Sequence, residues 1–219
     1  MSSGEMTEER VIAYIDGFNL YFGLCEKGWR RYLWLDIPAF VERLLKPRQR
    51  LLQVKYFTTR VGGPEDSVRR QGIYLDALAA YRGLQPLFGS FNYADADCKG
   101  CGRTWIDREE KQTDVKIAVH MLRDAYAGAF DAALLISGDS DQVPVVEEIE
   151  GEHDGRVIAA FPPRRVSGDL ARVASASFVI GRSAFHESQL PSMVSGKDGY
   201  MLCQPVEWWR DPSAAPTTR

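Results

Sequence analysis

The chain has 219 residues, 45% of them apolar, and a formal net charge of −3. That length suits one domain with short appendages, and that composition an ordinary globular protein. No apolar run is long enough to span a bilayer, the polar, acidic first ten residues lack secretory-signal form, and no global positive field announces a nucleic-acid partner. A cytoplasmic location without membrane association is the resulting expectation. The four cysteines, Cys25, Cys98, Cys101 and Cys203, are too few for a disulfide scaffold in a chain of this length. Arg30-Arg31, the basic stretch Lys46–Arg50, Arg69-Arg70 and Arg164-Arg165 are local basic clusters, each read singly as solvated surface charge.

Taken in chain order, residues 11–16 are an apolar run that stops abruptly at Asp16, the pattern of a buried strand. Asp16-Gly17-Phe18-Asn19 follows and, by itself, reads equally well as a turn. Asp36 can cap a helix through about Leu45, with Pro38 in its first turn. Leu51 to Thr58 is a second strand, broken by Gly62-Gly63-Pro64, and Glu65 to Tyr81 has helical spacing. Leu84 to Phe91 is expected to be extended. Residues 92–106 read as an irregular polar insertion carrying Cys98-x-x-Cys101.

Asp107 and Glu110 have the form of a capping box, so a helix is expected from about Arg108 to Ala127, ending at Gly128. Val115, Ala118, Val119, Leu122 and Tyr126 would form its apolar face, with Asp114 at the edge of that face near the helix start. Residues 131–137 form the clearest strand, leading into Ser137-Gly138-Asp139-Ser140-Asp141. A short helix from Val143 to Ile149, a strand from Arg156 to Phe161, a helix from Ser167 to Ala174 and a strand from Ser177 to Ile180 complete the pattern. After residue 182 the periodicity fades into a Pro- and Gly-marked tail, expected to be irregular, with its end from Asp211 disordered. Strands alternating with helices indicate an α/β fold with a mostly parallel central sheet and helices on both faces.

Two of these strands end in aspartates. In a parallel α/β sheet, strand C-termini open into a shared crevice where ligands collect. If both strands run the same way, Asp16, Asp139 and Asp141 meet there, and Asp114 adds a third element. Clustered carboxylates repel one another unless a proton or cation intervenes, and a hard divalent metal is the natural occupant. The bland alternatives are a turn at Asp16 and a helix N-cap at Asp139 or Asp141.

Asp16-Gly-Phe-Asn19, Glu109-Glu110-Lys111-Gln112-Thr113-Asp114-Val115 and Ser137-Gly-Asp139-Ser-Asp141, in this order and spacing, resemble the motif series of the NYN domain, within the PIN-like nuclease superfamily. The resemblance covers roughly residues 9–182, lies nearest the bacterial LabA-like branch, and leaves 183–219 as a C-terminal extension. It implies a three-layer, Rossmann-like fold of the PIN type and a metal-dependent ribonuclease, an endoribonuclease hydrolysing RNA at an acidic Mg²⁺ or Mn²⁺ site. Carried over by position, Asp16, Asp114 and Asp139 are the metal carboxylates, with Asp141 a fourth, direct or through water. Asn19 and Ser137 would orient water or a phosphate oxygen, and Lys111, Arg164 and Arg165 would hold substrate. RNA is the implied partner, and self-association stays open.

Cys98-x-x-Cys101 is half of a zinc site by spacing. His120, His153, His186, Cys25 and Cys203 offer no second pair at matching spacing, so free thiols are preferred over zinc. Trp105 is a candidate for base stacking, with packing as its plainer role. A phosphatase of the haloacid-dehalogenase type would need a second aspartate where Phe18 stands. A catalytically silent binding module of the same fold is the remaining alternative.

Overall fold

The computed structural model describes residues 8–97, 100–101, 104–153, 155–197 and 199–209, with the backbone alone for 91–97 and 105–111. Its centre is a six-stranded sheet formed by β1 (Glu9–Asp16), β2 (Gln49–Thr58), β3 (Leu87–Phe88), β6 (Ala132–Ile136), β7 (Arg156–Phe161) and β8 (Ala176–Val179). The strand order is β3-β2-β1-β6-β7-β8, and every neighbouring pair is parallel. The chain lays strands outward from β1 to β3, then crosses back to place β6 on the other side of β1. The order therefore reverses between β1 and β6, which is where an open α/β sheet makes its ligand crevice.

Helices cover both faces, giving three layers. Strand residues alternate between two cores because successive side chains point to opposite faces. Val11, Ala13 and Ile15 enter one core with α1 (Gly17–Glu26), α2 (Ile37–Leu44), α3 (Glu65–Arg82) and α7 (Arg182–His186). Ile12 and Tyr14 enter the other with α4 (Thr113–Tyr126), α5 (Val143–Glu152) and α6 (Gly168–Val173). Strands buried on both faces are apolar throughout, which explains why β1, β6 and β7 read as continuous hydrophobic runs.

Local signals account for most helix starts. Asp36 accepts from the Ala39 amide at 3.3 Å, and Ser167 accepts from the Leu170 amide at 3.3 Å. Gly83 and Gly128 end α3 and α4 in left-handed conformations. Beneath α4, the Asp124 carboxylate accepts from the Tyr14 hydroxyl at 2.6 Å and pairs with the Lys55 ammonium, all three groups being buried. Burial pushes the Asp124 carboxyl upward, but the Lys55 and Tyr14 hydrogen bonds outweigh it and hold it below the usual carboxylate range.

Four expectations are corrected. The insertion at 92–106 is a two-stranded antiparallel hairpin, β4 (Ser90–Asp97) with β5 (Thr104–Lys111), so Asp107 and Glu110 lie in a strand and form no capping box. The following helix starts only at Thr113. Its apolar face is rotated. Ala118 and Leu122 pack against the core as expected, beside the buried Thr113, Ile117 and Met121, whereas Val115, Val119 and Tyr126 are 66%, 55% and 67% exposed.

Finally, the described residues after 182, namely 183–197 and 199–209, contain regular elements and are not an irregular tail. They form α7, a hairpin of β9 (Met193–Ser195) and β10 (Met201–Cys203), and a 3-10 turn at Val206–Trp208. Trp34 donates to the Pro191 carbonyl at 2.7 Å, and Trp208 is buried against Trp34 and Tyr74. The expected disorder from Asp211 lies outside the described residues.

Candidate active site

Ile15 pairs with Ile136, so Asp16 and Ser137 leave the sheet side by side. Asp16 does not enter a turn. It caps α1, its Oδ1 accepting from the Asn19 amide at 2.9 Å. Gly17 is required at this start, because a Cβ there would lie 2.6 Å from the Phe57 carbonyl oxygen and 2.9 Å from the Tyr56 ring. Helix α1 thus begins flush against the end of β2, and Asp16 is held almost fully buried.

One chain of hydrogen bonds ties the two strand ends together. The fully buried Ser137 hydroxyl donates to Asp16 Oδ2 at 3.1 Å. The Ser137 hydroxyl oxygen in turn accepts from the Asp139 amide at 3.1 Å. Asp139 Oδ1 accepts from the Asp141 amide at 3.0 Å and so opens the 3-10 turn Ser140–Gln142. From the other strand end, Asn19 Oδ1 accepts from the Gly138 amide at 3.0 Å. Among the described residues, Asp139 Oδ2 and the Asn19 side-chain amide nitrogen carry no hydrogen bond of their own. They are an acceptor and a donor presented at the crevice, with Asp139 half-buried and Asp141 exposed.

The N-terminus of α4 reaches the same place by two polar contacts. The Thr113 and Thr59 hydroxyls are 3.2 Å apart, and Gln142 Nε2 donates to the Asp114 carbonyl at 3.3 Å. Asp114 is half-buried in the first turn of α4, bonded through its backbone to the turn that Asp139 opens. Gln142 was not singled out from sequence. It is fully buried, and its Oε1 has no hydrogen-bond partner among the described residues. The signal was modest: a glutamine one residue before the Val143-Pro144 helix start.

The arginine pair arrives on the loop after β7. That loop is wedged between α1 and the Ser137–Asp139 turn. A Cβ on Gly23 would lie 2.7 Å from the Pro163 carbonyl oxygen, and one on Gly138 only 1.7 Å from that of Arg165. Arg164 is exposed in a left-handed conformation, at φ 66°, an uncommon state for a side chain-bearing residue. Arg165 is tied down by an ion pair with Glu26 and lies over the Phe22 ring. Arg164 is therefore the arginine presented outward beside the crevice.

Lys111 is the last residue of β5, and its side chain lies outside the described residues, as does that of Trp105. Cys98 lies outside them too, while Cys101 is an exposed free thiol. His120, named as a zinc candidate, instead packs edge-on against Phe57 and is hydrogen-bonded to Arg123.

Among the described residues, no three His, Cys, Asp or Glu side chains already form a group able to enclose a metal ion. The donor set itself is all oxygen: carboxylates, a serine hydroxyl and amide carbonyls. That is the chemistry of a hard cation. Mg²⁺ keeps several of its waters and takes only one or two carboxylates from a protein, so a closed cage is not required. The orphaned Gln142 Oε1 is a further oxygen between the two acidic turns, short of a donor or cation.

Burial raises the Tyr56 phenol well above its ordinary value, and the nearby Asp16 carboxylate adds to the effect. Tyr56 is thus a neutral hydrogen-bonding wall beside the carboxylates at all physiological pH.

The profile of the NYN domain matches residues 10–181. A curated relative, the 6-hydroxy-3-succinoylpyridine 3-monooxygenase HspA of Pseudomonas putida, is 27% identical over 93% of this chain and 76% of its own length. A crystal structure of a protein of unknown function from Vibrio parahaemolyticus superposes with a TM-score of 0.55 over 87% of this chain and 100% of that one. At 19% identity this likeness concerns the fold alone. No helix among the described residues is long and apolar enough to cross a membrane.

Proposed function

The chain belongs to the NYN domain family, a family of PIN-like nucleases, and on that premise we propose that it is a metal-dependent endoribonuclease acting in the cytoplasm. The observation that carries the proposal is the continuous hydrogen-bond chain from Asp16 through Ser137 to Asp139 and the Asp141 amide, located where the strand order reverses. A purely structural cap needs one carboxylate. Here Asp16 and Asp139 are linked through Ser137, Asp141 lies in the turn that Asp139 opens, and the Asp114 backbone is bonded to that turn through Gln142.

On this reading Asp16 and Asp139 hold Mg²⁺ or Mn²⁺, with Asp114 and Asp141 contributing directly or through water. When bound there, a divalent ion would supply Lewis-acid chemistry, lowering the pKa of a water and offsetting charge on the phosphoryl oxygens. The chain's own groups do the rest. Ser137 fixes the rotamer of Asp16 and the position of the Asp139 backbone. Asp139 Oδ2 can accept a proton from an attacking water. The Asn19 amide nitrogen can donate to a phosphate oxygen, and Arg164, with Lys111, offers positive charge to the RNA backbone.

A second reading has its own support. An apolar cavity of about 300 Å³ adjoins α1, and the Pseudomonas relative is named for acting on a pyridine derivative. A small heteroaromatic compound would then be the natural ligand.

The test uses labelled single-stranded RNA with Mg²⁺, Mn²⁺ or EDTA, beside an Asp139→Asn variant, with Mn²⁺ binding followed by calorimetry in parallel. Metal-dependent cleavage that the variant loses, together with weaker Mn²⁺ binding, is the expected result. Equal cleavage by the variant removes Asp139 from the mechanism. RNA binding with no cleavage under any metal points to a silent binding module.

A further inference from the structure

The cavity beside α1 has an anatomy that the acidic site does not explain. It encloses about 300 Å³, at the small end of the range of ligand pockets. Its walls come from the start of α1, the end of β2, α3 and the C-terminal 3-10 turn, with Phe18, Tyr56, Tyr74 and Trp208 supplying aromatic surface. Trp208 and Tyr74 meet edge-on at 5.9 Å and 80°, so two differently oriented ring surfaces border the space.

A few polar groups join the lining. Arg70 and Ser67 are among them, with the Arg70 guanidinium donating to the Ser67 hydroxyl at 3.1 Å and pairing with Glu207 at 3.2 Å. Gln71, Thr58 and Gly17 also line it, and Gly17 directly follows Asp16. The cavity and the acidic crevice therefore share the wall made by Gly17 and Tyr56, whose ring lies 2.9 Å from where a Gly17 Cβ would stand.

The loop that borders the cavity is fastened. Gln71 Oε1 accepts from the Val61 amide at 2.8 Å and its Nε2 donates to the Thr59 carbonyl at 2.8 Å. Also in its lining, Phe18 stacks on Phe22 at 5.9 Å, and Tyr21 and Phe22 are partly exposed, continuing the aromatic surface along α1. A largely apolar, aromatic lining with a few polar side chains suits a flat ring carrying heteroatoms, and poorly suits a flexible aliphatic chain.

We propose that this cavity binds a planar heteroaromatic ring, and that on an RNA substrate the ring is an unstacked base next to the phosphate cleaved at Asp16. The second clause rests on the nuclease reading; the first does not. A base can enter only from an unpaired strand, so the cavity selects single-stranded RNA or loops. The C-terminal segment is part of the selectivity, because Trp208 forms a wall and Glu207 restrains Arg70.

Calorimetric titration of the full chain in EDTA tests the pocket without the metal. The ligands are the four ribonucleoside 5′-monophosphates and pyridine-3-carboxylate. The proteins are wild type, Ser67→Trp, which fills the mouth, and Arg70→Gln, with circular dichroism melting to verify folding. At least one nucleotide should bind, and Ser67→Trp should weaken it about tenfold or more, the scale of one lost base–aromatic stack. Binding of pyridine-3-carboxylate alone keeps the ring pocket and overturns the base assignment. No binding by any ligand, or binding unchanged in both folded variants, overturns the pocket. RNA cleavage is measured separately: cleavage without nucleotide binding leaves the nuclease standing and removes the base assignment, and the converse removes only the nuclease.

Discussion

Gly138→Ala would test the closest approach in the site. A Cβ there would come 1.7 Å from the Arg165 carbonyl oxygen and 2.5 Å from its carbon. An ordinary contact is about 3.5 Å, so one backbone segment must retreat by roughly 1.5–2 Å. Neither yields readily. The loop is held by the Arg165 amide on the Pro162 carbonyl at 3.0 Å, by the Arg165–Glu26 ion pair and by Pro163 against Gly23. The Gly138 amide is held by Asn19 Oδ1 at 3.0 Å. Overpacking costs about 1–3 kcal/mol, and a lost hydrogen bond about 1 kcal/mol more. A total of about 2–4 kcal/mol lowers Tm by roughly 5–15 °C in a domain of this size. Differential scanning calorimetry measures it, with Gly151→Ala as the control. Gly151 lies in α5 with nothing within 4 Å of its Cβ position, so alanine there should leave Tm unchanged or raise it. A Gly138→Ala protein melting within roughly 1 °C of wild type would refute the contact and the loop placement built on it.

Further outcomes follow from the core and the charges. Lys55→Met strands the buried Asp124 carboxylate and should cost about 3–5 kcal/mol in urea unfolding, partly recovered in Lys55→Met/Asp124→Leu; a single variant as stable as wild type would show the pair to be incidental. Asp124, Asp131 and Glu9 are held below their ordinary pKa by hydrogen-bonded cations, so their stabilisation is present above the usual carboxylate range and is lost as pH falls through the lowered values. His120 is lowered by burial and then by Arg123 and Lys55. Its neutral form is the one the fold favours, so Tm should already decline as pH falls below about 6.5. His120→Gln should flatten that upper limb, and an unchanged slope would remove His120 as its cause. Trp208→Ala should cost about 3 kcal/mol by opening the packing on Trp34 and Tyr74, read as a fall in the urea midpoint; a loss under about 1 kcal/mol would mean the C-terminal turn is not part of the core.

What the sequence determined lies mainly in β1, β6 and β7. A strand covered on both faces must be apolar along its length, so an apolar run broken by aspartate marks both the strand and the end it presents at the crevice without knowledge of its neighbours. The helix caps at Asp36 and Ser167 are equally local, each side chain bonding an amide three residues on. Asp16 was harder, because Gly17 and Asn19 are turn formers and only the seat of α1 against Tyr56 and Phe57 selects the helix.

Tertiary structure alone decided three things. The first is the path through 90–111, where charged residues with helical spacing are drawn into a hairpin by pairing with a segment up to about 20 residues away. The second is the rotation of α4. Val115, Val119 and Tyr126 share one stripe and Ile117 and Met121 another, so the period is legible but the buried stripe is chosen by docking on the sheet. The third is the site itself. The spacing of Asp16 and Ser137 along the chain says nothing of their 3.1 Å contact, which exists because the crossover returns β6 beside β1 in parallel. A strand end advertises its own chemistry, but which strand ends meet is fixed by sheet order, and sheet order is set by long-range packing.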